Sequence, residues 1–133
     1  MSDAGVTSAA CPFCSLKPER LWLQTPTTLA LRDGYPLTEG HTLVIPRRHV
    51  ASLFDLPAEE LARTWSQVAE VRRLLQETFS PDGFNIGLND GEAAGQTVLH
   101  AHVHVIPRYN HDVPDPRGGV RWVLPSKAAY WSP

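Results

Sequence analysis

The sequence has no apolar run close to the roughly 20 residues that a helix needs to cross a bilayer. Its first ten residues contain no apolar stretch of signal-peptide length. Net charge is also low, −2 at pH 7, so the composition indicates no general affinity for polyanions. We therefore predict a cytoplasmic protein that binds neither membranes nor nucleic acid.

Cysteine is scarce as well, because the chain has only Cys11 and Cys14, in the unit Cys-Pro-Phe-Cys. Two thiols at this spacing have three interpretations: a redox pair, half of a zinc site, or ordinary packing. A redox pair is expected between a strand and a helix, and no strand pattern precedes Cys11. A zinc half-site needs two more ligands, and the chain has six histidines to offer.

The chain is long enough for one domain with a proper core, since 42% of its 133 residues are hydrophobic. We predict a single domain over residues 1–133, with a frayed N-terminus at 1–10 and an irregular tail at 109–133. Several strand patterns are separated by short turns, and one amphipathic helix follows Pro57. This arrangement predicts the α+β class with a mostly antiparallel sheet.

Three histidines, His100, His102 and His104, alternate with apolar residues near the end of the domain. A period of two predicts a strand with one face in the core, so the three imidazoles are expected together on the other face. Positions two apart on a strand are about 6.7 Å apart and positions four apart about 13 Å. A zinc–nitrogen bond is only about 2 Å long. One metal ion cannot bind all three rings, which indicates at least two tasks along the row.

A glycine loop leads into the histidine run, in the segment Asn89-Asp-Gly-Glu-Ala-Ala-Gly-Gln-Thr97. Gly91 and Gly95 permit positive φ and a close approach of ligand to backbone. Gln96 and Thr97 offer neutral hydrogen-bond donors that suit phosphoryl oxygens. Most glycine loops are only turns, but this one stands directly before three histidines, which favours phosphate binding.

The stretch Gly95-Gln-Thr-Val-Leu-His-Ala-His-Val-His-Val-Ile106 resembles the signature of the histidine triad (HIT) family of nucleotidyl hydrolases and transferases. The segment Gly40-His-Thr-Leu-Val-Ile-Pro-Arg-Arg-His49, with Asp33 ahead of it, is similar to that family as well. The resemblance implies a five-stranded sheet with one long helix and a short N-terminal helix. It also implies a homodimer whose subunits join their sheets across a two-fold axis.

The resemblance further implies a role for each matched residue. His102 would attack the α-phosphorus of a nucleotide, and water would then hydrolyse the covalent nucleotidyl-histidine. The main-chain carbonyl of His100 would hold the other ring nitrogen of His102. His104 and Gln96 would assist as further catalytic residues. Contacts with ribose, phosphoryl oxygens or the leaving group are implied for His102 and His104 and for Asp33, His41, Asn89, Gln96 and Thr97.

Some family members carry a structural zinc ion, and the resemblance assigns its ligands here to Cys11, Cys14, His49 and His100. Two thiolates and two imidazoles close a tetrahedron and leave no open position, which is typical of a structural site. One zinc ion per chain is therefore expected, with no metal ion in the chemistry.

The expected substrates are adenine or guanine nucleotides with a leaving group on the 5′-phosphate. Dinucleoside polyphosphates come first, because the glycine loop resembles the hydrolase branch of the family. A phosphoramidase that cleaves nucleoside 5′-phosphoramidates is the nearest alternative. Two other classes stay open: a His-x-His enzyme with catalytic zinc, and a non-catalytic nucleotide-binding module.

Overall fold

The computed structural model describes residues 11–132, so the predicted frayed segment 1–10 lies outside the described residues. Five strands form one sheet in the order β1-β2-β3-β5-β4, and every neighbouring pair is antiparallel. The predicted α+β class with an antiparallel five-stranded sheet is confirmed. The strands are β1 (Leu21–Gln24), β2 (Thr28–Arg32), β3 (Thr42–Pro46), β4 (Gly83–Gly87) and β5 (Val103–Arg108).

One long helix, α1 (Ala58–Phe79), packs across one face of this sheet. Val68, Val71 and Leu75 recur at helical spacing and are buried against the strands. The helix ends where Ser80 adopts a left-handed backbone conformation with φ 48°. Its apolar face and the sheet enclose the main core of the molecule.

The remaining helical elements are short. Within the described residues, the helical element before the first strand is a 3-10 turn at Pro18–Arg20, where a short N-terminal helix is predicted. The predicted irregular tail contains a 3-10 turn at Gly119–Val123 and a one-turn helix, α2 (Pro125–Ala128). Among the helices described between residues 11 and 132, none combines the length and the apolar composition needed to span a bilayer.

The sheet face opposite α1 is covered only in part. Leu29, Leu31, Leu43 and Ile45 form a second apolar cluster there, and Phe13 of the N-terminal segment packs on it. Along β5, side chains on this face are half-buried, whereas their neighbours in the strand are buried under α1. The partly open region over β5 leaves room for a site.

The histidine strand is shorter than the sequence predicts. His104 lies in β5, whereas His100 and His102 precede the strand. The N–H of Ala101 donates to the carbonyl of Val50 (2.8 Å) outside the sheet ladder, and His100 is fully buried. The predicted face is nevertheless kept, because Ala101, Val103 and Val105 lie in the core under α1, whereas Phe13 on the opposite face contacts both His100 and His102.

Candidate active site

His102 lies just before β5 and is half-buried. Its Nδ1 is 2.9 Å from the carbonyl oxygen of His100. A carbonyl can only accept, so Nδ1 carries the ring proton and donates it. In the neutral ring the lone pair is then on Nε2, which is the tautomer in which an imidazole attacks an electrophile through that nitrogen. The bond expected between His102 and the carbonyl of His100 is present.

Two aromatic rings border His102. The ring of Phe13 meets it edge-on, with centroids 5.2 Å apart and an interplanar angle of 68°. The ring of His104 also meets His102 edge-on, with centroids 5.2 Å apart and an interplanar angle of 66°. Phe13 also contacts His100 edge-on at 5.9 Å. The imidazole of His102 is thereby held by packing as well as by its hydrogen bond.

His104 belongs to a second group of polar side chains. Its Nδ1 is 2.9 Å from Nε2 of His41, a residue that is 98% buried, and Nδ1 of His41 is 3.0 Å from the backbone nitrogen of Leu37. The Asp33 carboxylate lies 3.5 Å from Nε2 of His41 and 4.0 Å from Nδ1 of His104. Asp33 also accepts a bond from the N–H of Tyr35 (2.7 Å). Residues from three parts of the chain therefore meet here.

Burial sets the protonation state of this group. Desolvation, reinforced by His102 and His41 and opposed by Asp33, lowers the pKa of His104 to about 4. Desolvation also lowers the pKa of His41, again against the attraction of Asp33. Both rings are neutral at pH 7. What each can do is then decided by which nitrogen carries its one proton.

The four predicted zinc ligands, Cys11, Cys14, His49 and His100, come together, with all ligand atoms within 4.8 Å of one another. Nδ1 of His100 lies 3.4 Å from the Cys11 sulfur, 3.5 Å from the Cys14 sulfur and 3.2 Å from Nδ1 of His49. The opposite nitrogen, Nε2 of His100, donates to the carbonyl of Pro46 (2.8 Å). Its lone pair therefore faces the other three ligands, as it does in metal sites.

The chemistry of this cluster fits a zinc ion. Desolvation lowers the pKa of His100, although the bond to Pro46 opposes it, so the ring is neutral and able to bind metal. Two thiolates balance the charge of the ion, and four ligands fill a tetrahedron. The cluster has no free position for a substrate, which separates it from the group around His104.

Gln96 holds the glycine loop closed. Its Oε1 accepts from the N–H of Gly91 (2.8 Å), and its Nε2 donates to the carbonyls of Ala51 (2.7 Å) and Val98 (3.0 Å). Both amide protons are thus in use inside the protein. The expected contact of this side chain with phosphate stays a prediction, and the geometry favours an indirect role through the loop.

An open cavity of about 370 Å³ adjoins His104. Asn89 lines it, whereas Thr97 is exposed on the loop and is not part of its wall. Val120 and Val123 reach it from the C-terminal tail, where no motif in the sequence signals such a position. None of the residues lining the cavity is Lys or Arg. They are Leu37, Asn85, Ile86, Gly87, Leu88, Asn89, His104, Ile106, Val120 and Val123.

The fold and the site together define a small α+β protein with an imidazole oriented by a main-chain carbonyl beside a Cys₂His₂ cluster that fits a zinc ion. The HIT domain model matches residues 16–111. The chain belongs to the HIT family, as its histidine motif predicts.

Two relatives and one solved structure illustrate the similarity. The chain is 41% identical over 93 residues to a Schizosaccharomyces pombe protein named bis(5'-nucleosyl)-tetraphosphatase [asymmetrical], covering 70% of this chain and 51% of that one. It is 35% identical to a Dictyostelium discoideum bis(5'-adenosyl)-triphosphatase, covering 73% and 65%. A zinc-bound histidine triad protein from Mycobacterium smegmatis has a TM-score of 0.71 at 38% identity, covering 82% and 86%.

The names of these relatives concern the general class of activity and not a particular substrate of this chain. The chain spans about half the length of the S. pombe relative. Both relatives carry the names of hydrolases, which is the class that the histidine motif predicts for this chain.

Proposed function

We propose that this protein is a nucleotidyl hydrolase that cleaves the α-phosphate linkage of dinucleoside polyphosphates through a covalent intermediate on His102. One observation carries the proposal: Nδ1 of His102 donates to the His100 carbonyl, so that in the neutral ring the lone pair is on Nε2, the nitrogen that would attack. The names of two relatives support the substrate class.

In the first step, Nε2 of His102 forms a bond to the α-phosphorus. The bond from that phosphorus to the bridging oxygen breaks, and the leaving nucleotide departs with the electron pair as a phosphate anion. The ring becomes a nucleotidyl-imidazolium, whose Nδ1–H stays bonded to the carbonyl of His100. The carbonyl therefore stabilises the positive charge that develops on the ring.

In the second step, water attacks the same phosphorus and the bond to Nε2 breaks. The electron pair returns to Nε2, one proton of the water passes to solvent, and the nucleoside monophosphate is released. Because His102 ends in its starting tautomer, the residue is ready for the next turnover.

Substrate-binding roles follow from position. The Asp33 carboxylate would accept bonds from ribose hydroxyls, and exposed Thr97 would donate to a phosphoryl oxygen. Asn89 lines the cavity beside His104 and would contact the leaving group. Gln96 would act by holding the loop that carries these groups.

A zinc ion held by Cys11, Cys14, His49 and His100 would supply cross-linking of the fold and no reacting group. The N-terminal segment would be tied to the residues before β5, and Phe13 would be kept against His102. The cysteines and His49 have no further part in the proposed chemistry.

The cavity beside His104 favours a second candidate, a phosphoramidase. Its lining is mainly apolar and includes neither Lys nor Arg, so it suits an amine with an apolar body better than a polyphosphate chain. In that reaction the P–N bond breaks in the first step, and the departing amine takes a proton from solvent.

Rapid quench followed by intact-mass analysis tests the proposal, with diadenosine polyphosphates and adenosine phosphoramidate as separate substrates. We expect a mass increase of one adenylyl group, mapped by peptide sequencing to His102. Whichever substrate gives the faster formation of the adduct identifies the leaving group.

His102→Ala should abolish adduct and turnover while retaining zinc and AMP binding. His111→Asn is the matched control, because His111 is an exposed histidine with φ 73° that asparagine also tolerates. Full turnover in His102→Ala would exclude the mechanism. Loss of zinc in that variant would instead favour a metalloenzyme.

A further inference from the structure

We propose that His41 is a positioning residue, which fixes His104 as a hydrogen-bond donor toward the cleft. The tautomer of His41 is in turn fixed by the backbone N–H of Leu37. The catalytic consequence rests on the proposed function, whereas the structural part can be measured without any turnover.

The first link is the contact between Leu37 and His41. A backbone N–H can only donate, and Nδ1 of His41 lies 3.0 Å from the Leu37 nitrogen. Nδ1 must therefore be the unprotonated nitrogen. Since His41 is neutral and 98% buried, its single ring proton is on Nε2.

The second link passes this constraint to His104. The Nε2–H of His41 is 2.9 Å from Nδ1 of His104, which must accept. Asp33 is the competing acceptor at 3.5 Å, too long to take the proton away from the shorter contact. The one proton of neutral His104 is then on its Nε2, at the far edge of a ring that lines the cavity.

A metal ion is the alternative occupant of this group. Ligand atoms of Asp33, His41 and His104 lie within 4.8 Å of one another, as in the cluster around His100. The hydrogen bonds separate the two cases. A metal ion on Nε2 of His41 would move the ring proton to Nδ1, where it would face the N–H of Leu37, donor against donor. This group is therefore a hydrogen-bond relay.

The relay gives neighbouring histidines opposite tautomers. His102 has a bare Nε2 that can attack phosphorus, whereas His104 has a protonated Nε2 that can donate to a phosphoryl or leaving-group oxygen. In the other tautomer, His104 would present a lone pair to the lone pairs of oxygen. A donor aimed at developing charge is worth about 10²–10³ in kcat, so His41 would influence rate without touching substrate.

Two variants of His41 test its two hydrogen bonds separately. His41→Asn keeps an acceptor near the position of Nδ1 for the N–H of Leu37, but it has no donor long enough to reach His104. His41→Gln places an amide N–H near the position of Nε2, within reach of His104. We expect His41→Asn to lose about 10²–10³ in kcat with little change in KM, and His41→Gln to stay within about tenfold of the parent.

The direct measurement is the imidazole ¹⁵N–¹H correlation spectrum of the zinc-loaded protein. We expect His104 as the Nε2–H tautomer in the parent and in His41→Gln, and as a tautomer mixture in His41→Asn. His102 should stay in the Nδ1–H form in all three proteins and so serves as the internal control.

The opposite order of activities, with His41→Asn better than His41→Gln, would show that His41 acts only by anchoring Leu37, and it would overturn the proposal. A pure Nε2–H form of His104 in His41→Asn would overturn it too. Failure of the covalent mechanism would show separately, as full turnover in His102→Ala with the tautomer pattern intact.

Discussion

At the scale of single residues, three histidines of one short segment differ in what their ring nitrogens meet. His100 donates from Nε2 to the carbonyl of Pro46, whereas His102 donates from Nδ1 to the carbonyl of His100. His104 instead faces the buried ring of His41. The proposed roles of metal ligand, nucleophile and hydrogen-bond donor can therefore fall to the same side chain, depending on the partner that fixes its proton.

The lowered pKa of His104 predicts a stability change with pH. The folded pKa is about 4 and the ordinary value is 6.5, so between these values the unfolded chain binds more protons than the folded one. The free energy of unfolding should therefore fall as pH falls from 6.5 to 4 and level off below, with at most roughly 3 kcal/mol from this residue. Urea unfolding at a series of pH values measures it.

His104→Asn provides the comparison for that series. Zinc ligands also take up protons in this range, but their contribution is common to both proteins and cancels in the difference. The variant should have a shallower dependence on pH than the parent. Equal slopes would mean that His104 is not held neutral by its surroundings.

At the scale of elements, the glycine loop depends on one buried amide. Gln96 ties Gly91 to Ala51 by three hydrogen bonds that include Val98, although the loop itself is exposed. The exposed loop adds little to the packing of the core, and its residues are accessible to a ligand. Its shape is then set by a side chain whose own polar atoms are occupied.

Gln96→Glu should destabilise the protein, because a carboxylate cannot donate to the carbonyls of Ala51 and Val98. We expect a loss of about 1–3 kcal/mol in the free energy of unfolding, together with weaker substrate binding as the loop loosens. Thr97→Ala, at the exposed next position, should change stability by no more than about 0.5 kcal/mol. Chemical denaturation of both variants decides the matter, and equal stabilities would refute the loop-holding role.

The N-terminal segment depends on a different kind of cross-link. His49→Gln should lose stoichiometric zinc and lower the unfolding temperature, because a Cys₂His₂ site needs all four ligands. Metal analysis by mass spectrometry and thermal unfolding make the test. His102→Ala should keep its zinc, and a purified parent without zinc would remove the assignment.

At the scale of the whole molecule, the sheet has an open edge at β4, which within residues 11–132 pairs with β5 alone. The Pro107 carbonyl accepts from the hydroxyl of Thr38, on the β3 side of β5 (2.6 Å). Along a strand, the backbone N–H and C=O of successive residues point to opposite sides. The backbone groups of Val105, two residues before Pro107, therefore also point toward β3. Their β4 partners, Phe84 and Ile86, therefore direct their backbone groups to the open edge.

This edge is where two sheets of a homodimer could join, as the family resemblance implies. Ile86→Pro removes an outward N–H without removing a bond to β5, and it should convert dimer to monomer in sedimentation equilibrium. Ile86→Val keeps the N–H and the apolar side chain and should remain dimeric. A parent that sediments as a monomer at all concentrations would contradict the prediction.

The sequence predicts most of this architecture because alternation and helical spacing are local signals. The two thiols two residues apart are a local pattern that indicates a zinc half-site among other interpretations, whereas His49 and His100 are assigned as its partners only through the family resemblance. The sequence misses where the last strand begins, because the backbone N–H of Ala101 bonds to Val50, 51 positions away, and β5 starts only at Val103. The link between His41 and His104 joins residues 63 apart and has no local signature at all.

One contact joins the Cys₂His₂ cluster to the proposed nucleophile. Phe13 stands between the two cysteines in sequence, and its edge meets His102. Removal of a bound zinc ion, or oxidation of the thiols, would displace Phe13 from the ring of His102 while leaving every reacting atom in place. Chelators and mild oxidants would then lower the activity, although the proposed chemistry uses neither metal nor sulfur. Activity measured in EDTA would therefore underestimate that of the zinc-loaded protein.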